Sequence, residues 1–295
     1  MLTLVDNGNF YDWSCWSGTH RYYKNEKKYY CNRDSGIFSN LTVMCYAIAF
    51  LELDGKPVNE LETVFSEYIS SENIYSKIFK KNSDVIFNLN SIQDKEAFKL
   101  VPPSYWGIGY KPQDVDFKFY NSIIKKFFMP SDETLKIKNN LLTNNNINLE
   151  KSVFLWCRLT DKHRETVAPP VSRYMSIIEN NFKDYEIIIQ TDDMNVINEI
   201  KKYNYNFKFL KEIPIDNSGS FYGCFHSKMY SVDEADFYSK YKMSKIDYIR
   251  HMYAVALIAS ESKSFICYPG NPVTYVPMLK GSTDNTFLFK NQELF

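Results

Sequence analysis

The stretch of residues 153–193 constrains the fold most, because it has the pattern of a strand, a helix and a second strand. Residues 153–157 form a short apolar run, which is typical of a strand buried on both faces of a parallel sheet. Apolar residues recur at helical spacing over residues 171–179, and a second apolar run covers residues 185–190. The stretch therefore predicts a βαβ unit whose two parallel strands end at the same sheet edge.

Polar side chains collect where these two predicted strands end. The charged residues after the first strand include Arg158, Asp161, Lys162 and Glu165. The second strand ends in Thr191-Asp192-Asp193. Ligands of open α/β sheets bind outside the carboxyl ends of the strands, so we expect the ligand site at this edge. Asp192 and Asp193 either contact a nucleoside or cap the following helix, and the sequence leaves both roles open.

A third predicted strand, residues 264–268, ends in a turn of small residues before an apolar helix. Gly270 in that turn would allow close approach of the backbone to a phosphate, while Asn271 and Thr274 could donate hydrogen bonds. A strand, a short turn and a helix amino terminus form an anion-sized pocket. Because a proline lies on each side of Gly270-Asn271, a merely rigid turn is the alternative.

The first half of the chain offers a second glycine-containing turn. Gly36 precedes a helix predicted over residues 41–53, with Ser39 or Asn40 as its cap and Gly55 after its end. Free backbone N–H groups at such a helix start can bind an anion.

Aromatic side chains stand beside polar ones in two further segments. Trp13 and Trp16 lie in residues 10–16, and Trp106 lies in the proline- and glycine-containing segment 102–109. The face of an aromatic ring can stack on a sugar, although packing in an ordinary aromatic core explains these rings equally well.

Composition narrows the class of protein and of partner. The 295 residues include 35 basic and 35 acidic side chains, so bulk charge gives no reason to expect a nucleic-acid or membrane partner. The start of the chain lacks a signal-peptide pattern, and the longest apolar run, residues 41–53, is too short to span a bilayer. Six scattered cysteines without ligand spacing indicate reduced thiols in a cytoplasmic protein and no zinc site.

The polar, turn-rich residues 139–148 mark the predicted domain boundary. We expect one domain over residues 1–150, a second over residues 151–278, and a tail, residues 279–295, that returns to the first domain.

With these features in place, the chain resembles the fucosyltransferase superfamily that comprises α1,6-, α1,2- and protein O-fucosyltransferases. The central motif of that family runs His-x-Arg-Arg-x-Asp, with Lys following in the α1,6 branch. Arg158, Asp161 and Lys162 match its first arginine, its aspartate and its lysine, whereas Trp156 and Leu159 replace the histidine and the second arginine. The Thr-Asp-Asp at 191–193, the turn at residues 36–40 and the strand and loop of residues 264–274 resemble further family features.

The resemblance implies an α/β fold of the GT-B type, with two Rossmann-like domains that face a central cleft. It also implies an inverting glycosyltransferase that uses GDP-fucose, with the donor in the second domain and a glycan acceptor on the first. No metal is expected, because adjacent aspartates are not the D-x-D pattern of metal-dependent glycosyltransferases, and no cofactor is expected beyond the GDP-sugar substrate.

The resemblance also assigns roles to residues. Arg158 would bind the leaving diphosphate with help from Lys162, or it would instead form an ion pair with Asp161 or Glu165. Glu165 would act as the base, with Asp161 and His163 as rivals, and the alternative role of Asp161 is to orient Arg158. The expected donor contacts are Gly36, Asn40, Arg158, Asp192, Asp193, Ser264, Tyr268, Gly270, Asn271 and Thr274. The expected acceptor contacts are Trp13, Trp16 and Trp106. Another GDP- or UDP-sugar, or a non-catalytic nucleotide- or glycan-binding protein on the same fold, are the alternatives.

Overall fold

The structure is a computed structural model, and it describes residues 4–13, 18–33, 35–65, 72–85, 87, 89, 115–157, 169–191, 193–210, 212–213, 233–268, 272–290 and 293–294. The chain forms two compact units, Met1–Glu133 and Thr134–Phe295. Within the described residues, no helix combines the length and the apolar character that crossing a bilayer requires.

The first unit contains seven strands and three helices among its described residues. The strands are β1 (Leu4–Asp6), β2 (Phe10–Trp13), β3 (Thr19–Tyr23), β4 (Lys28–Asn32), β5 (Glu60–Val64), β6 (Phe79–Lys80) and β7 (Met129–Pro130). The helices are α1 (Ile37–Leu53), α2 (Tyr75–Ile78) and α3 (Phe117–Phe127). A five-stranded sheet has the order β1-β2-β3-β4-β5, while β6 and β7 pair separately.

The five-stranded sheet combines two patterns of connection. Strands β1 to β4 form an antiparallel meander, whereas β4 and β5 are parallel and are joined through α1. Helix α1 is hydrophobic almost all round, and most of its residues are buried, which is typical of a helix enclosed by a core. The β4-α1-β5 segment is thus the βαβ part of this unit.

Helix α1 begins earlier than the sequence predicted. Its N-cap is Gly36, which makes no side-chain cap, and Ser39 and Asn40 lie inside the first turn instead of capping it. The extra turn forms because Ile37 and Phe38 are buried, and their packing outweighs the capping preference of Ser39. At the other end the prediction is confirmed, because Gly55 follows the helix with a positive φ of 70°.

The second unit contains a six-stranded, mainly parallel sheet. Its strands are β8 (Ser152–Cys157), β9 (Glu186–Thr191), β10 (Phe207–Phe209), β11 (Ser264–Tyr268), β12 (Thr286–Lys290) and β13 (Glu293–Leu294). The described helices are α4 (Asp132–Asn144), α5 (Val171–Asn181), α6 (Met194–Ile200), α7 (Glu234–Tyr241), α8 (Lys245–Glu261) and α9 (Pro272–Lys280). Helix α4 begins two residues before the division between the units.

The order of this sheet is β10-β9-β8-β11-β12-β13, and only β13 is antiparallel to its neighbour. All six residues of β8 are buried, as expected for a central parallel strand. The predicted βαβ unit is confirmed by β8, α5 and β9, and Tyr174, Met175 and Ile178 of α5 are buried as the helical spacing predicted. The α/β fold class is likewise confirmed.

Two predicted boundaries differ from the structure. Residues 139–144 belong to helix α4, so the polar run is only partly a turn, and the two units divide before it. Residues 286–290 of the tail form β12, which pairs with β11 of the second unit. Leu288 and Phe289 are buried there, so the apolar residues of the tail extend the second sheet.

Candidate functional site

The connectivity of the second sheet defines one place where a ligand can enter. From β8 the chain proceeds outward to β9 and β10, and it then crosses to β11 on the other side of β8. The direction of the strand order therefore reverses between β8 and β11. In open α/β sheets, the crevice at the carboxyl ends of such a strand pair is where ligands bind. Cys157 and Tyr268 are the last residues of these two strands, and they lie opposite each other.

Helix α9 brings a helix amino terminus and a buried hydroxyl group to this edge. It starts at Pro272, four residues after β11 ends, and its first turn contains no acidic side chain. Thr274 lies in that turn and is fully buried, and its Oγ1 has no hydrogen-bond partner among the described residues. A buried hydroxyl group without a partner costs free energy, and a bound anion would satisfy it together with the free N–H groups of the turn.

Helix α5 has a second open amino terminus at the same edge. Pro170 is its N-cap and makes no side-chain cap, and its first turn has no acidic residue. The side chain of Tyr174, in that turn, contacts Cys157 at the end of β8, and burial raises the pKa of this tyrosine strongly. The predicted residues Arg158, Asp161, Lys162 and Glu165 lie between β8 and α5, outside the described residues.

Asp193 has a structural role in the described residues. Its carboxylate accepts a hydrogen bond of 2.8 Å from the backbone N–H of Asn195, so it caps helix α6. Thr191, at the end of β9, accepts a 3.2 Å bond from the backbone N–H of Asp193 and thereby fixes the turn. The sequence left two roles open for these aspartates, and the structure shows Asp193 in the capping role. Asp192 lies outside the described residues.

The strand β11 does not bring both of its predicted site residues to the carboxyl edge. Ser264 is at the amino end of the strand, where its hydroxyl group donates a 2.8 Å bond to the carbonyl of Asn285. Tyr268 is at the carboxyl end, but its side chain is fully buried in the apolar cluster with Tyr174. Gly270 and Asn271, which follow it, lie outside the described residues.

The glycine-containing turn of the first unit is accompanied by an arginine. Arg33 donates from Nη1 to the hydroxyl group of Ser39, at 2.9 Å, and to its carbonyl, at 3.2 Å. Asn40 is fully buried and donates from Nδ2 to the carbonyl of Ser35, at 2.8 Å, whereas its Oδ1 has no hydrogen-bond partner in the described ranges. Arg33 was not predicted from the sequence, although its place three residues before Gly36 was a signal that could have identified it.

The positive charge of Arg33 also affects a buried histidine. His20 Nδ1 is 2.8 Å from the hydroxyl group of Tyr29, and Nε2 has no hydrogen-bond partner among the residues described. Burial, with a further contribution from Arg33, lowers the pKa of His20 to about 4. Burial likewise raises the pKa of the Cys31 thiol to about 12. His20 is therefore neutral at physiological pH.

The predicted acceptor contacts are largely outside the described part of the chain. Trp13 is the last residue of β2, where its backbone lies opposite Leu4. Trp16 and Trp106 fall outside the described residues. The described cysteines, Cys31, Cys45, Cys157 and Cys267, are buried thiols. Over the same described ranges, no three His, Cys, Asp or Glu side chains are grouped so that they could hold a metal ion.

Comparison with solved structures identifies the fold. The chain matches the crystal structure of NodZ α1,6-fucosyltransferase soaked with GDP-fucose, with a TM-score of 0.54 and 10% sequence identity. The match covers 90% of this chain and 97% of that one. NodZ from Bradyrhizobium (TM-score 0.48, 10% identity) and NodZ co-crystallised with GDP (TM-score 0.47, 11% identity) also match, over 90% of this chain and 96% of each of theirs.

Sequence comparisons add no further relatives. No protein-family model matches the chain, and no curated protein matches it. The structural likeness shows that this protein has a fucosyltransferase-like α/β fold of the GT-B type, as the sequence motifs predicted.

Proposed function

We propose that this protein is an inverting glycosyltransferase that moves fucose from GDP-fucose to a hydroxyl group of a glycan. The observation that supports this most directly is the fully buried hydroxyl group of Thr274 at the start of α9, which finds no hydrogen-bond partner within the described part of the chain. It lies at the carboxyl edge of the sheet, beside the strand pair where the order reverses. A diphosphate provides the anionic oxygen atoms that such a helix start binds.

The donor contacts follow from this placement. The N–H groups at the start of α9, with Thr274, would hold the diphosphate, and Gly270 and Asn271 would complete the turn. Arg158 and Lys162 follow β8 directly in the chain and would supply positive charge to the same phosphates. We retain Asp192, Asp193, Gly36 and Asn40 as proposed donor contacts.

The chemical step needs an electrophile, a leaving group and a base. The oxygen of the acceptor hydroxyl group attacks the anomeric carbon, and the bond from this carbon to the phosphate oxygen breaks, so GDP leaves with the electron pair. Arg158 stabilises the charge that develops on the diphosphate. Glu165 takes the proton of the acceptor, and Asp161 orients Arg158.

A thermal-shift screen with GDP, UDP, ADP and their common sugar conjugates tests the donor. A ligand at about a hundred times its Kd stabilises the folded state by about 2.7 kcal/mol, which gives a visible rise in Tm. We expect GDP compounds to raise the Tm of the wild type but not that of Arg158→Ala. Lys202→Ala is the matched control. Lys202 is an exposed cation that follows α6 and pairs with Glu199 in that helix. If no nucleotide raises the Tm of the wild type, the proposal fails.

One observation favours the second candidate, a non-catalytic nucleotide- or glycan-binding protein. Trp156 replaces the histidine of the resembled motif, and its side chain is buried beside Phe154, with ring centroids 5.8 Å apart. The motif thus has a core ring where the resembled family has an ionisable group. Release of free GDP from GDP-fucose with glycan acceptors separates the two functions, because only a transferase turns the donor over.

A further inference from the structure

One face of the first sheet presents three aromatic rings among paired charges. Residues opposite each other in the register share a face, so two adjacent rows can be identified. We call their members the outer face: Phe10, Tyr23 and Lys28 in one row, and Asp12, Arg21, Tyr30 and Glu62 in the next. All seven side chains are half-buried, whereas the alternating residues Tyr22 and Tyr29 point into the core.

The polar groups of the outer face are held in place by the rings. The Arg21 guanidinium lies 4.9 Å from the centroid of Phe10, and its Nε donates a 2.9 Å bond to Asp12. It also forms a hydrogen bond with the side chain of Tyr23. Lys28 Nζ lies 5.0 Å from the Tyr23 ring centroid. Because these contacts exist before any ligand binds, less conformational entropy is lost on binding.

The charge of the outer face excludes a polyanion as its ligand. Arg21 is paired with Asp12, and Lys28 lies 2.7 Å from Glu26 and 3.6 Å from Glu62. Each cation therefore already has a carboxylate partner, and no excess of positive charge is left for phosphates or sulfates. A fitting ligand is uncharged and rich in both C–H and O–H groups.

A carbohydrate has this combination of groups. The rings of Phe10 and Tyr23 are 5.8 Å apart, and Tyr30 is diagonal to Tyr23, at about 7–8 Å between Cα atoms for such a pair. Ring faces at these distances can pack against the C–H faces of successive sugars. The carboxylate of Asp12 and the guanidinium of Arg21 can bind the hydroxyl groups at the rims.

We infer that the outer face binds a neutral oligosaccharide and is the place where the first unit takes the acceptor glycan. As an acceptor site, this inference depends on the proposed glycosyltransferase function, while the binding itself does not. It assigns the stacking to Phe10, Tyr23 and Tyr30, which lie on β2, β3 and β4, the three central strands of the five-stranded sheet.

The test measures binding to a printed array of neutral oligosaccharides of two to six sugars, beside sulfated and uronic-acid oligosaccharides. We expect the wild type to bind neutral members, and Tyr23→Ala and Tyr30→Ala each to weaken binding about tenfold, equivalent to about 1.4 kcal/mol. Tyr23→Phe keeps the ring and should lose less. Tyr238→Ala is the matched control, because this tyrosine is 57% exposed on α7 of the second unit.

A parallel thermal-shift measurement with GDP separates the two proposals. Two results would overturn the proposed oligosaccharide binding by the outer face and leave the donor proposal standing. In the first, GDP stabilises the protein but the protein does not bind the array. In the second, GDP stabilises the protein and Tyr23→Ala binds the array as well as the wild type does. Ring-dependent binding without any effect of GDP supports the outer face and rejects the transferase. Tm values of the unliganded variants within a few degrees of the wild type show that the losses are not due to unfolding.

Discussion

Thr274 and His20 are buried polar residues, each with one atom that has no hydrogen-bond partner in the part of the chain that the structure describes. An unsatisfied buried polar group destabilises the folded state by about 1–3 kcal/mol, so its presence calls for a physical reason. For Thr274 the proposed reason is a bound phosphate. For His20 the consequence is a neutral ring beside Arg33, which makes stability depend on pH.

Replacing Thr274 by valine should have opposite effects on stability and on binding. Valine has nearly the same shape and removes the partnerless hydroxyl group, so we expect the unliganded Tm to stay level or rise. The rise in Tm that GDP causes should shrink. Ser152→Ala is the control, because this buried hydroxyl group donates a 2.6 Å bond to the carbonyl of Asn148. That control should lower the Tm and leave the effect of GDP intact; a large loss of Tm in Thr274→Val would show that its hydroxyl group is satisfied.

His20 should make the protein less stable in mild acid. The pKa of its side chain is about 4 in the folded protein against 6.5 in the unfolded chain, so only the unfolded chain takes up the proton in this range. This stability is complete above pH 6.5 and is lost as the pH falls towards 4, by about 3 kcal/mol for one group. Urea unfolding between pH 4.5 and 7.5 should therefore show a weaker pH dependence for His20→Gln than for the wild type. Equal slopes would refute the assignment; His251→Gln, in α8, should match the wild type.

At the scale of elements, the helix starts differ in how their free N–H groups are satisfied. Helix α6 has a carboxylate cap from Asp193, whereas α5 has no side-chain cap and α1 has only Gly36. A cap fills the place that an anion could otherwise take, so the uncapped starts are the better ligand sites. The described first turns of α1, α5 and α9 also lack acidic residues.

The cap of α6 can be tested separately from ligand binding. Asp193→Ala should lower the free energy of unfolding by about 1 kcal/mol, because it removes the bond to the N–H of Asn195. Asp193→Asn should restore most of this loss, since asparagine caps helices as well as aspartate does. Chemical denaturation of the three proteins measures the effect, and an equal loss in both variants would mean that charge, not capping, is what stabilises α6.

At the scale of the molecule, each unit has its own sheet and its own buried residues. The proposed donor contacts at the start of α9 are in the second unit, while His20 and the outer face are in the first. A change in one core should therefore affect the unfolding of that unit most strongly.

Calorimetry should resolve this division. We expect saturating GDP to raise the transition of the second unit, by an amount that corresponds to about 2.7 kcal/mol at a hundred times Kd. Lowering the pH from 7 to 5 should shift the transition of the first unit, which contains His20. One transition that responds equally to both changes would show that the two units unfold as one.

The sequence by itself determined the elements whose pattern is local. The apolar run of β8, the helical spacing of α5 and the following strand β9 appear as predicted, because burial on both faces of a strand or on one face of a helix leaves a direct periodic signal. The short motif around Arg158 predicted the fucosyltransferase-like fold, and the structural comparison shows that fold.

Only the tertiary structure decided where these elements pair and which side chains find partners. Residues 286–290 of the tail form β12 because they pair with the side of β11 that β8 does not occupy. Helix α1 is one turn longer than predicted because Ile37 and Phe38 are buried. These outcomes depend on contacts between residues that are distant in the chain, for which local sequence periodicity provides no signal.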